Sequence, residues 1–186
     1  MRLVWGTTRI VLIIPVIGIV LKLPVLEIAR VSKVFFRNLF RGKFRSISIE
    51  MHEYWGFLFS GIIANWSEYR FYQRTRHTFL QPTYFSLFGL FNIQKLGNAC
   101  NMKTLDVWCQ LVDITSKAVW ADPHCFDEAD NFCFDNKQFK MLDYASEGAQ
   151  KVVLSHGDKI VQFFNPNYSW EEEKKKLKEM REQRID

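Results

Sequence analysis

A chain of 186 residues that is 48% hydrophobic, with 17 phenylalanines, carries ample material for one domain or two small lobes, which excludes an intrinsically disordered protein. Its formal charge of +5 suits phosphate-bearing ligands or an anionic membrane surface; the 20 acidic residues and the lack of any nucleic-acid motif give no expectation of specific nucleic-acid binding. Four cysteines, Cys100, Cys109, Cys125 and Cys133, have no CxxC spacing, which argues for free thiols in a reducing, cytoplasmic setting over a metal site or a disulfide framework.

The first element is the apolar run IVLIIPVIGIVL at 10–21, which follows Arg2 and Arg9. Two readings stay open. One is a membrane anchor over 10–28. The other is a buried β-hairpin with arms at 8–14 and 19–23 and a bend between Pro15 and Gly18. The hairpin is the stronger reading. The run ends at Lys22, short of the roughly 20 residues a spanning helix needs, and both arms are rich in β-branched residues.

Residues 27–45 read as a basic amphipathic helix. Arg30, Lys33, Arg37 and Arg41 form one stripe, with Val31, Phe35, Phe36, Leu39 and Phe40 opposite. Such a helix either docks on its own protein by the apolar face or meets an anionic lipid surface or a phosphorylated substrate. Residues 50–75 form a longer helix, with Tyr54, Leu58, Ile62, Trp66, Tyr69 and Tyr72 at helical intervals; that aromatic coverage predicts burial. Glu68 lies among them and needs a partner such as Arg70 or Arg74, or solvent. Core strands follow at 84–93, interrupted at Gly89. A turn-rich connection at 94–101 leads to a helix at 104–115.

The polar loop 122–131 carries Asp122, His124, Asp127 and Asn131. Beyond it, FCF at 132–134, a turn at 135–137 and an apolar run at 139–142 predict a hairpin that ends on Asp143. Its closure brings Asn131 and Asp143 to the same end, where an amide oxygen and a carboxylate make a hard-oxygen pair suited to Mg2+ and phosphates. A helix at 147–164 with a break near Gly157 comes next, then a turn at 165–167. Ser169 and Glu172 suggest a capping box opening a charged tail helix with acids leading and bases following. His52, His77 and His156 have no evident partners.

These segments resemble a minimal protein-kinase-like fold, closest in character to small bacterial sugar and lipopolysaccharide kinases. Ile19-Val20-Leu21-Lys22 looks like the strand that ends in the phosphate-binding lysine. Glu68 is similar to the helical acid that pairs with it. His124 to Asn131 has the His-to-Asn separation of H-R-D-L-x-x-x-N, and Asp143-Tyr144-Ala145 stands in the place of D-F-G. The resemblance implies an α+β, compact, two-lobed kinase-like domain over 1–165. A small N-terminal sheet would occupy 1–98 and a reduced helical lobe 99–165, with a charged C-terminal helix at 166–186.

The resemblance further implies ATP and Mg2+ as cofactors, with Lys22 on the nucleotide phosphates, Glu68 holding Lys22, and Asn131 and Asp143 on the metal. Asp122, His124 and Asp127 are the catalytic-loop candidates. The chain departs from the pattern in several places. The position two after His124 is Phe126, Asp127 comes one place late, and Asp122 precedes the histidine, as in the D-R-H loop of lipid kinases. The glycine-rich loop is reduced to Gly6, and Ala145 replaces the glycine of D-F-G. The implied function is ATP/Mg-dependent phosphoryl transfer to a lipid, sugar or protein hydroxyl. It would take place in the cytoplasm or peripherally at the inner face of a membrane, with 30–45 as the lipid-facing segment. An inactive kinase-like binding module and a membrane-associated structural protein are the alternatives.

Overall fold

The computed structural model describes residues 1–6, 8–25, 33, 36–42, 56 and 58–182. The protein is α+β and divides into two compact units, Met1–Thr75 with Pro82–Leu96, and Arg76–Gln81 with Gly97–Asp186.

The first unit is built on a five-stranded antiparallel sheet in the order β1-β2-β3-β5-β4. Its strands are β1 (Arg2–Trp5), β2 (Arg9–Ile14), β3 (Ile19–Pro24), β4 (Thr83–Ser86) and β5 (Asn92–Lys95). The apolar run is therefore the β2–β3 hairpin. Pro15–Ile17 make a single 3-10 turn between its arms, and Gly18 at φ 67° takes the left-handed position that ends the turn. No helix among the described residues is long and apolar enough to cross a membrane. β1 has no counterpart in the sequence reading. It is an exposed edge strand whose register runs from Arg2 opposite Ile13 to Trp5 opposite Ile10.

A helix, α1 (Ser60–Thr75), lies in the chain between β3 and β4 and packs on one face of the sheet. The helix expected from residue 50 is described from Gly56, Leu58 and Ser60 onward, and 51–55 lie outside the described residues. Of the basic stretch 27–45, residues 36–40 are helical; Arg30, Val31 and Phe35 lie outside the described residues. Phe36 and Phe40 are 52% and 85% exposed, and their rings stack on each other at 6.5 Å.

The expectation of an aromatic buried stripe on α1 is corrected. Its buried residues are Gly61, Asn65, Glu68 and Phe71, while Trp66, Tyr69 and Tyr72 are half-buried. The cause is steric and electrostatic. A Cβ at Gly61 would lie 2.3 Å from the Thr8 carbonyl oxygen and 2.8 Å from Pro24 Cβ, so only glycine lets the helix come this close. The polar residues that follow on the same stripe meet cations and carbonyls of the sheet.

Register partners in a sheet point to the same face. Residues on the α1 side include Arg9, Val20, Lys22, Asn92, Gln94 and Thr83, all buried. The other face carries an apolar row across the full width of the sheet. Leu3 opposes Leu12, Leu12 opposes Leu21, Leu21 opposes Ile93, and Ile93 opposes Phe85. Beside that row, Trp5 opposes Ile10 and Ile10 opposes Leu23.

The second unit holds a three-stranded antiparallel sheet of β6 (Asn98–Ala99), β7 (Phe132–Asp135) and β8 (Gln138–Met141). Its helices are α2 (Thr104–Ile114), α3 (Pro123–Phe126), α4 (Glu147–Phe163) and α5 (Trp170–Glu182). An aromatic cluster fills its centre. Phe132 stacks on Phe139 at 4.8 Å between ring centres, Phe139 stacks on Phe164 at 3.6 Å, and Phe79 packs beside both strand residues. Val107, Leu111, Val153 and Ile160 complete the core from the helices. The break expected near Gly157 does not occur: α4 runs unbroken, and the glycine makes room for His77, whose ring would lie 2.4 Å from a Cβ there. His77 also gains partners that sequence did not suggest. Its Nδ1 accepts from the Phe79 amide at 3.1 Å, and its Nε2 faces Asp158 at 3.5 Å. The tail helix α5 is tied to α2, since Asp106 accepts from the Trp170 amide and Lys103 pairs with Glu171.

Candidate functional site

In the first unit, the alternation of β3 turns Lys22 toward α1, and helical spacing puts Glu68 one turn beyond Asn65 to meet it. Lys22 Nζ lies 2.8 Å from Glu68 Oε1, although 46 residues separate them in sequence. The partner of Glu68 is thus Lys22, not Arg70 or Arg74. A second cation joins them: Arg9 Nη1 lies 2.9 Å from Glu68 Oε2. Glu68 is fully buried, and Lys22 and Arg9 are 5% and 8% exposed. Burying these charges is tolerable only because each carboxylate oxygen receives a charged donor.

Neighbouring amides hold this group in place. Asn65 Nδ2 donates to the carbonyls of Lys22 and Gly89, and Asn92 Nδ2 donates to the Asn65 carbonyl. Sequence reasoning missed Arg9. Strand alternation could have found it, because Val11 is the register partner of Lys22 and Arg9 lies two residues before Val11 on the same face.

In the second unit, closure of the β7–β8 hairpin governs the polar loop. Phe132 pairs with Met141, and the Leu142 amide donates to the Asn131 carbonyl at 2.7 Å, which holds Asn131 and Asp143 at one end of the hairpin. Asn131 Nδ2 donates to the carbonyls of His124 and Cys125, so its Oδ1 remains the acceptor atom of that amide. Tyr144, in the position after Asp143, is fully buried and donates its hydroxyl to the Gln81 carbonyl at 2.8 Å. That bond fixes the backbone that carries Asp143.

The Ser146 hydroxyl donates to Asp122 Oδ2 while accepting from the Ala149 amide as the N-cap of α4. The Cys125 thiol lies 3.5 Å from the same hydroxyl. Burial pushes that thiol up to about 12; the bond to Ser146 opposes the shift, and the charges of Asp143 and Asp122 add to it. Both carboxylates therefore act on one half-buried thiol. Ser146 was missed in the sequence, where its only signal is its place before the helix.

The other loop candidates stand apart. His124 is exposed, and only its carbonyl takes part in the loop bonds. Asp127 ends α3, its amide returning to the Pro123 carbonyl at 2.8 Å. Among the described residues, neither the His124 ring nor the Asp127 carboxylate is hydrogen-bonded to Asp122, Asn131 or Asp143.

Among the described residues no group of three or more His, Cys, Asp or Glu is arranged to hold a metal ion. The donors available are the Asp143 and Asp122 carboxylates and the Asn131 amide oxygen. Such a sparse oxygen set suits Mg2+, which keeps several waters and takes one or two carboxylates together with substrate phosphates. It does not suit zinc, which prefers nitrogen and sulfur ligands.

Comparison of the chain with family models, curated proteins and solved structures finds no match.

Proposed function

We propose that this protein is a kinase-like phosphotransferase that uses Mg·ATP and a hydroxyl acceptor. The observation that carries the reading is the buried Lys22–Glu68 pair at 2.8 Å, formed by a strand lysine and an acid on α1. A lysine held this way is the part that phosphoryl transfer requires on the nucleotide phosphates. Beside Lys22 on the same face, Val4, Val11 and Ile13 are apolar and incompletely covered, which suits a flat heterocycle.

In this reading Lys22 meets the phosphates and Glu68 keeps its ammonium from swinging away. Within the second unit, Asn131 and Asp143 offer an amide oxygen and a carboxylate that would hold Mg2+. Asp122 takes the proton of the accepting hydroxyl, and Ser146 orients its carboxylate. A lipid, sugar or protein hydroxyl fits this chemistry.

A second reading, a kinase-like binding module without transfer activity, has its own support. β1 and β2 are joined by a short turn closed by the Gly6 amide on the Arg9 carbonyl, with Gly6 as its lone glycine, so no glycine-rich flap is available to cover phosphates. The Asp122 carboxylate is also already engaged by Ser146.

Thermal melts with Mg·ATP, followed by assay of γ-phosphate transfer, separate the two. Saturation at about 100 times Kd raises stability by roughly 2.7 kcal/mol. Stabilisation with transfer that Asp122→Asn abolishes supports the enzyme. Stabilisation without transfer supports the module, and no stabilisation overturns the phosphotransferase and favours a pure interaction role.

A further inference from the structure

We infer that the outer face of the five-stranded sheet, the one turned away from α1, seats the protein on an anionic lipid bilayer. A half-solvated antiparallel sheet ordinarily alternates, with apolar residues toward the core and polar residues toward water. Here the face turned away from α1 is the more apolar one. The row Leu3–Leu12–Leu21–Ile93–Phe85 crosses all five strands without a polar residue. Leu3 and Phe85 at its two ends are 50% and 44% exposed, and Leu12, Leu21 and Ile93 are incompletely covered. The faces are inverted: the α1 side gathers Arg9, Lys22, Asn92 and Gln94, while leucine and isoleucine face outward.

With strands about 4.8 Å apart and rows about 7 Å apart, two such rows span on the order of 200–300 Å2, within the range of patches on ordinary monomers, so the inversion of the two faces and not patch size carries the inference. Trp5, at the edge of the face and 69% exposed, is the residue type that prefers the lipid–water boundary.

Charge decides the partner. Of the 25 Lys and Arg, 12 fall in 1–75 and 82–96, against 4 of the 20 Asp and Glu, so this unit carries +8 while the remainder carries −3. The excess sits wholly in the unit with the apolar face. That unit also exposes Phe36 and Phe40 beside the exposed Arg37 and Arg41. An apolar face on a unit of net positive charge is the complement of an anionic bilayer, where basic residues meet headgroups and apolar side chains enter the acyl boundary. The inference does not depend on nucleotide chemistry and extends the lipid contact beyond 30–45 to the sheet itself.

The test is sedimentation of the full chain with vesicles of phosphatidylcholine alone and of phosphatidylcholine with about 30 mole per cent phosphatidylserine. The expected result is binding to the anionic vesicles, weakened by salt, and weakened by about tenfold or more in the double variant Leu3→Glu/Trp5→Glu and in Phe85→Glu. These substitutions lie at exposed positions on opposite edges of the sheet, and circular dichroism establishes that each variant keeps its fold. Three results would overturn the inference. The first is no binding to anionic vesicles. The second is binding that the variants leave unchanged, which would assign it to basic residues alone. The third is a concentration-dependent dimer that both variants dissociate, which would make the face an interface between copies. None of these readouts involves ATP, so loss of the phosphotransferase reading leaves the result standing.

Discussion

Replacing Glu68 by Gln keeps the shape of the side chain and removes the charge that Lys22 and Arg9 share. The carboxylate is fully buried, and the two cations are 5% and 8% exposed. The bonds lost are charge-assisted, at 2.8 Å and 2.9 Å. Removing one partner of a buried ionic group costs about 3–5 kcal/mol, because the opposite charge stays in low dielectric. That is a large share of the ~5–15 kcal/mol that stabilises a typical domain. At about 4–8 °C per kcal/mol for a unit of this size, the first unit should melt more than ~10 °C lower. Denaturant titration followed by circular dichroism measures the loss. Replacing all three residues together, as Arg9→Met/Lys22→Met/Glu68→Leu, should cost less than Glu68→Gln alone, since no charge is then stranded. A loss under about 1 kcal/mol for Glu68→Gln, the range of exposed pairs, would refute the buried triad.

Three further predictions concern other parts of the protein. Cys125, with its thiol pushed up to about 12, stays unmodified by iodoacetamide at pH 8 in the folded protein and reacts on unfolding; mass spectrometry of the alkylated peptides reads this, and labelling of the folded protein would contradict it. Gly61→Ala drives a methyl group against the Thr8 carbonyl and Pro24, and should destabilise the first unit by about 1–3 kcal/mol in denaturant titration; a neutral effect would mean that α1 does not approach the sheet so closely. Burial lowers the pKa of His77 below its ordinary 6.5, with Asp158 opposing and Lys140 adding to the shift. The unfolded chain therefore binds this proton more readily than the folded one. The stability His77 contributes is complete above pH 6.5 and declines as pH falls through the depressed folded value. His77→Asn should flatten that part of the melting-temperature profile, and an unchanged slope would exclude His77 as its source.

Local patterns made parts of this fold legible. The β2–β3 hairpin is visible in its β-branched arms and in Pro15 and Gly18, and the β7–β8 hairpin in the short polar turn between two phenylalanine-rich runs. That turn places Asn136 and Lys137 at φ 50° and 67°, conformations asparagine tolerates well. β1 escaped notice because four exposed residues at a sheet edge carry no burial pattern.

The α1 stripe was misread because its aromatics repeat at helical spacing, whereas the contacts that bury one side of the helix come from Arg9, Lys22 and the backbone at Thr8, all distant in sequence. Glu68 and Lys22 were legible as a pair only through the kinase resemblance. Arg9 was hidden behind its neighbours in an apolar run, and Ser146 behind its role as a helix cap. Spacing alone could not choose among Asp122, His124 and Asp127. In the structure Asp122 is the one joined to Ser146, and its charge acts on the same half-buried thiol as that of Asp143.

The central claim is that Lys22, held by Glu68, serves a nucleotide. Isothermal titration of the folded protein with Mg·ATP, beside Lys22→Met confirmed as folded by circular dichroism, tests it most directly. The expected result is saturable binding by the wild type and affinity weakened by at least about tenfold in the variant, a loss of about 1.4 kcal/mol or more. Absence of binding at millimolar Mg·ATP, or equal affinity in wild type and variant, would contradict it.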